Sequence, residues 1–292
     1  MDTEKTCELF VFTGKAKDST FNDVRDLDIH PYPQARKKCH MLWDQFKPLA
    51  DTKFITQFRN HFAGGYWEML LAHKLQEQGF DLTSKDDGPD LCTAINGQTA
   101  YFEAICPTGG TGDNEVLGLP ASDYIQALIK EPAALRLTSA FVNKSRIFRN
   151  YMTQGIVAQN DILVIAINGE CIPDIHIENP ECPEIVKVTY AIGSYEFRKN
   201  SQTEVLTGSY KRRDYIENPK GSRIPTNLFV DPANENISAV LYTHENAFSF
   251  GNYYLVHNPN ATNPLPMGCI KGVREFSLLL TDGGETLQWE MT

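Results

Sequence analysis

The sequence predicts an α/β protein with a mixed sheet, and three patterns carry that expectation. A helical pattern over residues 54–78 precedes two strand-like runs joined at Asn96-Gly97. Asparagine-glycine between such runs is the strongest short-range hairpin signal. A second amphipathic pattern over 133–154 leads into Asp161-Ile162-Leu163-Val164-Ile165-Ala166-Ile167, an unbroken apolar run of the kind that forms a strand buried on both faces.

In chain order, residues 1–53 read as an N-terminal extension, strand-like at Leu9-Phe10-Val11-Phe12 and helical from Cys39 to Phe46. Within 54–78, Phe62-Ala63-Gly64-Gly65 predicts a break, because paired glycines are poor helix formers. Tyr66 to Gln78 then forms the best helix of this half, stopped by Gly79. Residues 88–106 form the hairpin, Pro107 to Leu119 a polar glycine-rich loop, and Gly155 ends the 133–154 helix. Asn168-Gly169 bounds the buried strand. From residue 184 strands are expected at 185–192, 237–242, 253–257 and 276–280, separated by Pro, Asn and Gly turns. The chain thus divides into 1–53, a core at 54–183, and a β-rich region at 184–292 that is either a second unit or a continuation of the same sheet.

Composition narrows the function classes. The 292 residues are 41% hydrophobic and 22% charged, which is globular, and 27 basic against 37 acidic residues give a net charge of -10. A surface that is wholly a phosphate clamp is excluded, whereas a local basic groove is not. Seven scattered cysteines without a CxxC pair suggest neither a disulfide framework nor a zinc ribbon, and fit a reducing cytoplasm. The N-terminus lacks the pattern of a signal peptide, and no apolar run approaches the roughly 18 residues of a membrane span. The Asn-x-Ser/Thr triplets at Asn143, Asn236 and Asn260 are accordingly read as chance matches.

The hairpin places chemistry. A two-residue turn at Asn96-Gly97 makes cross-strand partners sum to 193, so Asp90 lies opposite Glu103. Opposed residues have β-carbons about 4.5–5.5 Å apart, close enough for two carboxylates to share a divalent ion. Glu103 interrupts the apolar strand Ala100 to Ile105, where an unpaired charge is costly. A solvated strand face, a lysine partner or a bulge is the blander account, and a functional charge is favoured over it because buried charges are paired or bind metals. Glu68 falls among Leu71, Ala72 and Leu75 on its helix, and Lys144 falls within the inward stripe Leu137, Phe141, Phe148 and Met152. Snorkelling explains one such residue, but four in adjacent elements form a constellation suited to metal-dependent phosphodiester hydrolysis.

These residues resemble the PD-(D/E)XK nuclease superfamily, in which a helix bearing an acid precedes a hairpin with Pro-Asp and Glu-x-Lys, then a helix and a further strand. The matching pieces are Glu68 in Tyr66-Trp67-Glu68, Gly88-Pro89-Asp90, Phe102-Glu103-Ala104-Ile105, and the elements from Ala133 to Ile167. The whole chain also resembles a group of bacterial proteins of about this length with no assigned activity. They share Trp-Glu, Gly-Pro-Asp, Ile-Asn-Gly and a C-terminal Val256-His257-Asn258-Pro259 with Pro264-Leu265-Pro266.

The resemblance implies a restriction-endonuclease-like αβββαβ core and Mg²⁺ (or Mn²⁺) held by Asp90 and Glu103 with Glu68 assisting. It also implies a DNA or RNA substrate and no membrane partner; a homodimer is compatible with it. The family lysine would stand at Ile105, and Lys144 on the later helix is the substitute. The alternative is a catalytically inactive nuclease-fold module that binds nucleic acid or a protein.

Four weaker signals remain. Gly109-Gly110-Thr111-Gly112 lacks the Lys-Ser/Thr of a phosphate loop and reads as a loop able to lie over the site. Cys171, His176 and Cys182 match no zinc-module spacing. The run Lys211-Arg212-Arg213 reads as a solvated strand face rather than a phosphate contact, and His257 as structural.

Overall fold

Asn96 and Gly97 adopt φ of 51° and 82°, the pair of positive values that a type I′ hairpin turn requires. In the computed structural model they join β1 (Leu91–Ile95) to β2 (Gln98–Ile105), pairing Leu91 with Phe102 and Ile95 with Gln98, the expected register. The structure describes residues 9–112, 115–116, 131–199, 204, 206–218, 220–280 and 287–291. Part of the 107–119 loop therefore lies outside the described residues.

Strand β3 (Ile162–Asn168) is buried at every position, as its apolar run predicts, because it has a parallel neighbour on each edge and helices over both faces. Its neighbours are β2 and β8 (Ala239–Thr243), followed by β9 (Tyr253–His257), β10 (Arg274–Leu280) and β11 (Leu287–Met291). The seven strands run in the order β1-β2-β3-β8-β9-β10-β11, so the C-terminal strands continue the sheet that the hairpin begins. Two small ribbons stand apart, β4 (Ile192–Lys199) with β5 (Leu206–Arg212), and β6 (Tyr215–Glu217) with β7 (Arg223–Pro225).

The sheet's alternating side chains divide the interior into two layers. Ala100, Phe102, Ile162 and Val164 face α1 (Ser19–Asp26), α2 (Tyr32–Phe46), α3 (Phe54–Asn60) and α4 (Phe62–Gln76). Leu163, Ile165 and Ile167 face α5 (Glu131–Thr153) and α6 (Glu184–Tyr190). Leu137, Phe141 and Phe148 are the buried stripe of α5. The Trp67 indole, fully buried, donates to the Ala166 carbonyl at 3.0 Å and seats α4 on β3.

Three expectations need correction. The helix runs straight through Gly64-Gly65, and the break falls at His61 (φ -153°, ψ 83°) between α3 and α4. These glycines serve close approach: a Cβ on Gly65 would come within 2.6 Å of Phe58 Cδ2, and one on Gly64 would strike the His61 ring. Residues 184–190 form α6 rather than a strand. Burial on nearly all sides hides the helical period in a β-branched apolar string, and Ala191 ends the helix in the left-handed region at φ 58°. Leu9 to Phe12 adopts no strand; Leu9 is buried in the helical layer without a ladder partner.

Gly65→Ala should destabilise the fold by about 1–3 kcal/mol, since Phe58 and its backbone must give way. Urea unfolding checks this, and an unchanged midpoint would contradict the packing argument.

Candidate active site

Asp90 immediately precedes β1, after Gly88 and the buried Pro89. The Tyr151 hydroxyl on α5 donates to the Gly88 carbonyl at 3.0 Å, and the Ala104 amide donates to Asp90 Oδ2 at 2.6 Å. The aspartate is therefore fixed at the end of the hairpin by both a helix and a strand. Glu103, 3% exposed, projects from β2 toward the α5 layer, one residue before that amide.

Lys144 reaches both from α5, its Nζ 2.8 Å from Glu103 Oε1 and 3.8 Å from Asp90 Oδ2. Of the ordinary accounts of a charge in that strand, a lysine partner is the one realised, and the side chain does not snorkel away. Glu103 Oε2 is left buried with no hydrogen-bond partner. Glu68 is half-buried on α4 and shares the electrostatic field of the other three. Ile105, where the resemblance implies a lysine, packs against the α5 layer.

The electrostatics follow from crowding acids in a poorly hydrated place. Burial, then the Asp90 charge, pushes Glu68 up to about 8, with Lys144 pulling the other way. Burial and Asp90 likewise push Glu103 up to about 7 against the Lys144 ammonium. Asp90 is raised by burial, with Lys144 and the Ala104 amide opposing. For Lys144 burial acts downward, but the Asp90 and Glu103 charges outweigh it and hold the amine above its usual value.

Two contributors escaped the sequence reading. Asp51 adds negative field at Glu68 and Asp90. Tyr151 is pushed up to about 12 by burial and the nearby carboxylates. Tyr151 lies seven residues from Lys144, two helical turns on the same face, a spacing from which it could have been found.

Other candidates resolve differently. The basic run is engaged in ion pairs, Lys211 with Glu196 at 3.8 Å, Arg212 with Asp214 at 2.8 Å and Arg213 with Glu184 at 3.0 Å. His257 is buried, its Nε2 2.8 Å from Glu275 Oε2. Cys182 sits in the core, while His176 is exposed. Cys171 is instead gathered with His61 and Cys106, their ligand atoms all within 4.8 Å of one another. The Cys106 thiol, then His61 and Glu170, draw Cys171 down to about 5 against the effect of burial. Glu170 is pushed up to about 8, first by burial and then by Cys171.

No family model, curated protein or solved structure matches the chain. Among the described residues, no helix is long and apolar enough to cross a membrane.

The raised carboxyls carry a pH signature. Glu68 and Glu103 bind protons more tightly folded than unfolded, so they stabilise the fold below their unfolded value of about 4.5. That contribution is lost as pH rises through about 7 for Glu103 and about 8 for Glu68. With a chelator present, urea midpoints should fall across this window, and Glu68→Gln should flatten the fall and raise the midpoint near pH 8. A wild-type slope unchanged in the variant would contradict the assignment.

Proposed function

We propose that the chain is a divalent-metal-dependent nuclease of the PD-(D/E)XK type, with Asp90 and Glu103 as metal ligands, Glu68 assisting and Lys144 as the electrostatic residue. The observation that carries this reading is the convergence of two hairpin carboxylates on one ammonium from α5, with Glu103 Oε2 buried and unsatisfied beside them. An all-oxygen donor set of this kind fits a hard cation such as Mg²⁺ or Mn²⁺. Chain order supports the reading too. Among the described residues α4, an isolated bridge between Thr83 and Cys92, β1, β2, α5 and β3 occur in that order, which is compatible with an αβββαβ core.

When bound, the cation supplies Lewis-acid polarisation of a phosphoryl oxygen at neutral pH. The chain's own residues supply placement and charge. Asp90 is held by the Ala104 amide and Glu103 by the Lys144 ammonium, so both carboxylates are positioned by the fold before a cation arrives. The Lys144 ammonium offsets the charge that builds at phosphorus as the bridging bond lengthens. Because it is anchored on α5 rather than at position 105, it approaches Glu103 from the helix side of the sheet.

A second reading, an inactive nuclease-fold module binding nucleic acid or protein, is favoured by Ile105 and by Lys144, which neutralises the carboxylates without any ion. One experiment separates the two. Single- and double-stranded DNA and RNA are incubated with the protein and Mg²⁺ or Mn²⁺, beside Asp90→Ala and Lys144→Ala. Cleavage that falls about 100-fold or more in both variants supports the nuclease. Cleavage indifferent to Asp90→Ala removes it, and nucleic-acid binding without cleavage or calorimetric Mg²⁺ uptake selects the binding module.

A further inference from the structure

His61, Cys106 and Cys171 stand 45 and 65 residues apart in the sequence, yet their ligand atoms lie within 4.8 Å of one another. They come from three elements: the residue before α4, the residue after β2, and the turn that follows β3. His61 Nε2 is buried with no hydrogen-bond partner, and both cysteines are free thiols. Glu170 adds a carboxylate, its Oε1 3.5 Å from Cys171 Sγ. We propose that these four side chains form a structural zinc site, distinct from the carboxylate cluster, with His61, Cys106 and Cys171 as ligands and Glu170 as the fourth.

The chemistry selects the ion. Two thiolates and an imidazole are soft to borderline donors that favour zinc over Mg²⁺, whose preference is for oxygen. Tetrahedral zinc with Zn–S of about 2.3 Å and Zn–N of about 2.0–2.1 Å sets ligand atoms roughly 3.5–3.8 Å apart. The three ligand atoms within 4.8 Å of one another therefore need an inward adjustment of roughly 1.0–1.3 Å at most, and Glu170, placed by its contact with Cys171 alone, swings in to complete the tetrahedron. Binding expels the remaining thiol protons to solvent, so uptake weakens as pH falls.

Backbone features keep the ligands in place. The Asp18 carboxylate accepts from the Phe62 amide at 2.9 Å and holds the start of α4. Gly64 leaves room for the His61 ring, which any larger residue would displace. Gly109, whose added Cβ would lie 3.0 Å from Pro173 and 3.7 Å from the Cys171 carbonyl, lets the segment after β2 pass close to the segment after β3. A bound ion would cross-link three chain segments at one end of the sheet. Cys106 is three residues beyond Glu103, and His61 is two helical turns before Glu68, so the clamp braces β2 and α4, which carry two of the three carboxylates.

The test uses the reduced full-length protein with Co²⁺ and Zn²⁺ alone as probes. One Co²⁺ per chain should produce thiolate-to-metal charge-transfer absorption, abolished stoichiometrically by one Zn²⁺. Zinc should protect Cys106 and Cys171 from alkylation in peptide mapping, leaving Cys7, Cys39, Cys92, Cys182 and Cys269 as they were. Cys106→Ser and Cys171→Ser should lose the absorption, whereas Asp90→Ala should keep it, which separates this site from the nuclease reading. The wild-type mapping stands even where a cysteine variant does not fold. Absence of the charge-transfer band, protection falling on other cysteines, or a Cys106–Cys171 disulfide whose reduced form takes up no metal would each overturn the proposal.

Discussion

Two carboxyls at the end of the hairpin, with Glu68 within their field from α4, would drive one another apart or take up protons, and the ammonium of Lys144 is what lets Asp90 and Glu103 coexist there. It is carried on a long helix whose other inward residues, Leu137, Phe141 and Phe148, are fully buried, so its height above the sheet is set by apolar packing. The charge balance of the site is in this sense a product of the core. Breaking a buried pair by removing one partner costs about 3–5 kcal/mol, and protonation is the route by which carboxyls escape part of that cost. The upward displacement of Glu68, Asp90 and Glu103 expresses how incompletely one amine compensates several acids.

Much of this arrangement was legible in the sequence because it depends on local rules. The type I′ turn dictates the β1–β2 register, and the register alone aligns residue 90 with residue 103. The inward position of Lys144 follows from the 3.6-residue period of α5, and the burial of β3 from its unbroken apolar run. What could not be read was set by tertiary packing. The string Ile185-Val186-Lys187-Val188 has the composition of a strand, yet it packs against α5 as a helix because it is covered on almost every side. Gly64 and Gly65 look like helix breakers, but the neighbouring His61 and Phe58 need the space that a side chain would fill.

The gathering of His61, Cys106 and Cys171 lies further still from sequence reasoning. Cysteine spacing reveals a metal site when ligands share one loop or finger, whereas here each arrives from the end of a different element. Their proximity depends on β2 and β3 running parallel, so that both strands finish at the same edge, and on α4 beginning above that edge.

The Asp18 carboxylate receives the Phe21 amide at the start of α1 as well as the Phe62 amide at the start of α4. One side chain thereby ties together two helix beginnings that are more than forty positions apart in the sequence. The leading segment is consequently part of the scaffold. Trimming the chain to begin at residue 54, the start of α3, would uncap the helix that bears Glu68 and strip α1 and α2 from its apolar back, so such a fragment would lack the support its own chemistry requires.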